Sequence, residues 1–201
     1  MGVRKRFCLG MSKKTSKYER KDFLSFSDEE LMKLFALENN ELAFEEVYKR
    51  YFNSLSKYIG WMAKDIDMAK DIVQGVFSKL YNNPQLYNSD KKFKTWVYAT
   101  AKNKLTNQWR DIKNRDRILS ESLFLTEDTS SGVTSDSKMI QITEALENLS
   151  ESHKDIFVLK YSSNLTIKEI SEIYNCREGT VKSRLFYAMK KIKEIINVKN
   201  Q

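Results

Sequence analysis

Apolar residues recur along most of this chain at steps of three and four, and nowhere alternate singly for long. That period places them on one face of a helix rather than on a strand. Ser27 opens the first such stretch. With Glu30 three residues later it forms a capping-box pattern, and Leu31, Leu34 and Phe35 supply the stripe. A second helix is predicted from about Glu41, carried by Phe44, Val47, Tyr48, Tyr51, Phe52, Leu55, Tyr58 and Ile59. A third runs from about Asp67 to Tyr81 on Met68, Ile72, Val76 and Leu80, and Asn82-Asn83-Pro84 stops it. A fourth spans about Phe93 to Ile112, with Phe93, Trp96, Val97, Thr100, Ala101 and Leu105 on its stripe.

The pattern then breaks. Residues 113–137 are dominated, from Ser120 on, by Ser, Thr and acid, with Glu121, Glu127, Asp128 and Asp136 among them. Such a segment buries too little apolar surface to offset its ordering entropy, so it reads as a flexible acidic linker. Periodicity resumes at Met139, with Ile142, Leu146 and Leu149, then Ile156, Phe157 and Leu159. The expectation is an all-α protein of two small helical domains, at 28–112 and 138–201, behind a basic flexible tail at 1–27. Six glycines and one proline in 201 residues agree with long helices.

The strongest local signal lies between Leu165 and Leu185. Thr166 with Glu169 is a capping box, and Ile167, Ile170 and Ile173 face inward on a short helix. A turn at Tyr174 to Arg177 precedes a long helix that sets Val181, Leu185, Ala188, Ile192 and Ile195 on one side. Ser183, Phe186, Tyr187 and Lys190 point the other way. A short helix, a tight turn and a longer basic helix suit insertion into a major groove. Arg177, Thr180, Lys182, Ser183, Arg184 and Tyr187 are the candidate DNA contacts, because guanidinium and ammonium groups bind guanine or phosphate and hydroxyls bind either. The bland alternative is a helical hairpin with a solvated outer face.

Charge supports a polyanionic partner. Lys and Arg total 35 against 27 Asp and Glu, a formal net charge of +8. Cys8 and Cys176 fit no metal spacing or disulfide framework, which points to a reducing cytoplasm. The apolar run from Phe7 to Met11 is too short for a signal peptide, and no stretch approaches a membrane span. The lone histidine, His153, lies in a polar run and reads as a surface residue. No phosphate loop, metal cluster or nucleophile–base pair is evident, so no catalytic residue, metal, cofactor or small-molecule substrate is expected.

At these residues the chain resembles a known family. Ala145 to Leu149, Lys154 to Tyr161, Thr166 to Ile170 and Gly179 to Leu185 resemble region 4 of sigma-70 family factors, nearest the extracytoplasmic-function group. Asp71 to Leu80 resembles region 2.2, and Phe93 to Arg110 resembles regions 2.3 and 2.4. The resemblance implies that Asp71, Gln74, Phe77 and Ser78 dock on the β′ clamp helices of core RNA polymerase. It further implies that Lys102, Asn103, Thr106, Asn107 and Arg110 meet the promoter −10 element. Region 4 would bind the −35 element and the β flap, and a membrane-linked anti-sigma factor would be a regulatory partner. By resemblance, Tyr87 lies in the loop that would hold a flipped base, while the spacing of Trp96 favours the core. Arg177 occupies the slot where a small helix cap is common, so the recognition helix starts without a good side-chain cap. The rival reading is a free-standing helix-turn-helix repressor or activator that dimerises through residues 28–110 and binds palindromic DNA alone.

Overall fold

The computed structural model describes residues 20–120, 145, 146 and 148–199. The basic tail before residue 20 and most of the acidic linker lie outside them. The described elements are helical, with two 3-10 turns and α1 (Asp28–Glu38), α2 (Glu41–Ala63), α3 (Ile66–Asn82), α4 (Phe93–Ser120), α5 (Glu151–Tyr161), α6 (Ile167–Tyr174) and α7 (Glu178–Lys199).

Local chemistry sets the helix starts. Ser27 Oγ accepts the Glu30 N–H at 3.2 Å while the Glu30 carboxylate accepts the Ser27 N–H at 2.7 Å, so the expected capping box forms. Asn40 caps α2, and Asp65 caps α3 through the amides of Asp67 and Met68. The α4 start uses a remote group: the Phe93 N–H donates to Glu29 Oε1 of α1 at 2.8 Å. A carboxylate there also suits the positive end of the helix dipole.

The first helices close on Leu31, Phe35, Phe44, Val47, Leu55, Ile59, Ile72, Val76, Leu80, Phe93, Val97 and Ala101, all buried. Two boundaries differ from the sequence reading. The ordered unit begins before residue 28, in a 3-10 turn at Asp22–Ser25 whose Phe23 is only 1% exposed. Arg50 of α2 fixes that turn. Its guanidinium donates to the carbonyls of Phe23 and Phe26, and it pairs with Asp28 and Glu46. Tyr51 adds a short hydrogen bond to the other Asp28 oxygen. Helix α4 also continues past Ile112 to Ser120, because Asp111 to Arg115 are exposed and need no apolar stripe to remain helical.

In the second unit, the Thr166–Glu169 capping box forms and Asn175 ends α6 in the left-handed conformation, φ 47°. Ile170, Ile173, Val181 and Leu185 are buried between α6, α7 and α5. Ala145 and Leu146 are buried against Ile192 of α7. The two units share one continuous core, joined where α5 meets α2 and α6 meets α4.

Candidate nucleic-acid interface

Helix α7 has two unlike sides. Val181, Leu185, Ala188 and Ile192 are buried, while Lys182, Ser183, Phe186, Tyr187 and Lys190 are exposed. Thr180 and Arg184 lie half-buried at the border, and Arg177 is exposed just before the helix. Arg177 contributes its backbone to the helix start, its carbonyl accepting the amides of Thr180 and Val181. Ser183 is exposed and its Oγ donates to the Gly179 carbonyl at 3.0 Å, so the hydroxyl keeps its acceptor capacity. A side chain at Gly179 would meet no atom within 4 Å, so this end of the helix presents bare backbone to the outside. All six residues expected on this surface therefore come together at one end of α7.

Two neighbours were not on the expected list. Phe186 is 66% exposed on the outer side of α7, an unusual place for a large apolar ring. His153 stands edge-on to Tyr187, with centroids 6.4 Å apart, and is half-buried rather than on the open surface. The outward count around α7 already contained Phe186. Nothing in the sequence placed His153 beside it.

On α4, Asn103, Thr106, Asn107 and Arg110 form an exposed polar row. Arg110 Nη2 donates to Asn107 Oδ1 at 2.7 Å, which orients that amide with its NH₂ free to donate. Lys102 is half-buried, its ammonium 4.3 Å from the centroid of the Tyr174 ring. Lys104 departs from the row. It reaches across α3, where a side chain on Gly75 would come within 1.8 Å of its Nζ. Burial, with Lys79 nearby, pushes the Lys104 ammonium below its usual pKa, against the pull of Asp71.

Tyr87 does not stand free for a base. It is buried, its ring lies edge-on to Phe93 and Trp96, and its hydroxyl donates to the Lys91 carbonyl. Trp96 is half-buried against the same core, as its spacing suggested. On α3, Asp71, Gln74 and Ser78 are exposed in a row, but Phe77 is 1% exposed. Phe77 packs against Phe44 and Tyr48, so it supports the surface from beneath and offers no face to a partner.

The chain matches the family model for sigma-70 region 2 over residues 47–115 and that for sigma-70 region 4 over residues 139–192. An extracytoplasmic-function RNA polymerase sigma-E factor of Haemophilus influenzae is 30% identical over 172 residues, covering 79% of this chain and 90% of that protein. The chain belongs to the extracytoplasmic-function group of sigma-70 family sigma factors. The extracytoplasmic-function sigma factor SigM of Bacillus subtilis is a further relative, 28% identical over 163 residues, or 78% of this chain and 96% of that one.

As a sigma factor it directs RNA polymerase to promoters, and the free-standing regulator is set aside, because region 2 is present beside the helix-turn-helix. The sigma factor RpoE of Bartonella quintana, solved with the anti-sigma factor NepR, shares the fold at TM-score 0.63 and 22% identity, covering 77% of this chain and 97% of that one. CnrH, solved with the cytosolic domain of CnrY, shares it at TM-score 0.62 and 17% identity, covering 85% and 97%. Among the described residues of this sigma factor, no helix is long and apolar enough to cross a membrane, and no cluster of His, Cys, Asp and Glu is placed to hold a metal ion.

Proposed function

We propose that this sigma factor works through three separate surfaces. Arg177, Thr180, Lys182, Ser183, Arg184 and Tyr187, around the start of α7, read the −35 element. Lys102, Asn103, Thr106, Asn107 and Arg110 on α4 engage the −10 element. Asp71, Gln74 and Ser78 on α3 dock on the β′ clamp helices of core polymerase. The single observation that carries the reading is the division of α7, where hydroxyl and basic side chains stand out opposite the buried stripe of Val181, Leu185, Ala188 and Ile192.

Base edges are bound by the Asn amides and phosphates by Lys and Arg. Each site alone is weak, and tethering them raises the local concentration of one for the other. The chain does no bond-making itself, since core polymerase supplies the chemistry. A cytoplasmic location follows from that partner. Residues 20–120 act as region 2 and 145–199 as region 4, with the acidic stretch between them as linker. The structural relatives solved with anti-sigma partners support an anti-sigma factor as the regulator of this chain too.

The test is reconstitution with core polymerase on genomic DNA, followed by sequencing of the transcript starts. Starts sharing two spaced upstream elements support the reading, and starts no more clustered than with core alone refute it. Within that assay, Arg184→Ala is expected to weaken −35 binding by about 1–3 kcal/mol if its guanidinium contacts a base. Unchanged affinity would return Arg184 to a packing role on the border of α7.

A further inference from the structure

Lys104 belongs to α4, but its charged end lies on α3. On α4 it stands about 100° round the helix from Asn103 and so leaves the exposed polar row. Its Nζ occupies the space over Gly75, where a first side-chain carbon would come within 1.8 Å of it. Gly75 lies about one helical turn after Asp71 and one before Lys79, and it adjoins Gln74. Asp71, Gln74, Ser78 and Lys79 are all exposed. A residue of a different helix thus adds an ammonium to the surface of α3.

That position is unfavourable for a lone cation. Lys104 is half-buried, and both burial and the neighbouring Lys79 charge oppose its protonated form, with only Asp71 acting the other way. Among the described residues it makes no ion pair and no hydrogen bond. Other lysines of the same unit are matched: Lys49 pairs with Glu45, Lys70 with Asp67, and Lys102 rests on the Tyr174 ring. A packed ammonium with a second one beside it and no acceptor lacks an anion.

We propose that Lys104 and Lys79 form a carboxylate-binding niche over the Gly75 backbone, filled by an acidic side chain of the polymerase helices that dock on α3. The niche rests on the reading of α3 as the docking surface. Two observations favour that source over a DNA phosphate. Lys104 Nζ lies on α3 beside the docking row, turned away from Asn103 and Asn107. Asp71 stands one turn off, which repels a phosphate backbone charged at every nucleotide but suits a protein surface of mixed sign. The docking surface is then bipolar. Asp71 faces a partner cation, and about 6 Å further along α3 the two ammoniums face a partner carboxylate. A partner helix supplies both with opposite charges four residues apart, whereas a partner slipped by one turn sets like charges together. The niche therefore fixes the register of docking, and Gly75 leaves the room for it.

The experiment is binding of the full chain to core polymerase without DNA, by competition against a labelled copy of the unsubstituted protein at several salt concentrations. Lys104→Met keeps the packed stem and removes the charge. It should weaken assembly about tenfold and flatten its salt dependence. Its melting temperature should be unchanged or higher, because an unpaired half-buried cation is gone. Lys104→Glu should weaken assembly further, about hundredfold, by setting like charges face to face. Core polymerases are then prepared in which the clamp-helix carboxylates are replaced by Lys one at a time. One of them should restore assembly of Lys104→Glu and bind the unsubstituted protein poorly.

Normal assembly of both Lys104 variants, while Asp71→Ala with Gln74→Ala still weakens it, overturns the niche and leaves the docking surface standing. If neither set of substitutions affects assembly, the reading of α3 fails and the niche fails with it. A scan in which no clamp-helix Lys rescues Lys104→Glu overturns the carboxylate as occupant. Affinity of preassembled holoenzyme for a single-stranded oligonucleotide from the −10 region of a mapped promoter is measured in parallel. A loss there for Lys104→Met, with assembly unchanged, overturns the niche in favour of a DNA phosphate.

Discussion

Arg50→Ala is expected to destabilise the protein by about 2–4 kcal/mol, measured by urea unfolding followed by circular dichroism. The Arg50 side chain is only 25% exposed, and its guanidinium serves carboxylates and carbonyls from separate segments at once. Removing it leaves the Asp28 carboxylate, itself 20% exposed, without its cation. It also frees the turn that carries Phe23, so the loss includes part of the Phe23 burial. Some of the ion-pair energy is screened by solvent, which keeps the figure below that of a fully buried pair. Arg50→Lys should recover only a minor share, because one ammonium cannot span the same acceptors. A loss under about 1 kcal/mol for Arg50→Ala would show that the turn is held by packing alone.

The second large effect is on assembly. The double substitution Asp71→Ala with Gln74→Ala is expected to weaken binding to core polymerase by about 2 kcal/mol or more, roughly 30-fold. Both side chains are exposed on the outer side of α3, so stability should stay within about 0.5 kcal/mol of the parent. Competition against a labelled copy of the unsubstituted protein for core polymerase measures the first quantity, and thermal unfolding the second. Phe77→Ala provides the contrast. It should reduce stability by about 3–5 kcal/mol, because the ring fills core between Phe44 and Tyr48. If the double variant assembles normally, the clamp-docking surface lies elsewhere on region 2.

Much of this architecture could be read from the chain because its signals are local. The stripe through Phe44, Val47 and Leu55 needs only helical periodicity, and both capping boxes need only residues three apart. The outer side of α7 follows from its buried stripe by rotation alone. What escaped depends on partners distant in sequence. Phe23 lies with Leu24 and Phe26 in a run too short to show a helical period, and its turn is held by Arg50, which lies 27 positions on. Phe77 follows Val76 by 100° around α3, and periodicity could not reveal that α2 covers that side as well. Tyr87 sits in a loop, where no period exists to distinguish a ring turned inward from one turned out. The hydrogen bond that Tyr58 donates to Asp155 spans 97 positions and has no local signature at all.

The crossing of Lys104 over Gly75 has a consequence for how this protein can change over evolutionary time. The ammonium occupies the space where any other residue at 75 would put its first side-chain carbon. Lys104 is flexible enough to swing away, but it would then join the polar row of α4 and add a charge beside Asn103 and Asn107. A substitution at 75, on the helix read as meeting the polymerase, thereby alters the electrostatics of the helix read as meeting the promoter. The two positions cannot drift independently: a lineage that gains a side chain at 75 must also accept a different binding surface or shorten residue 104.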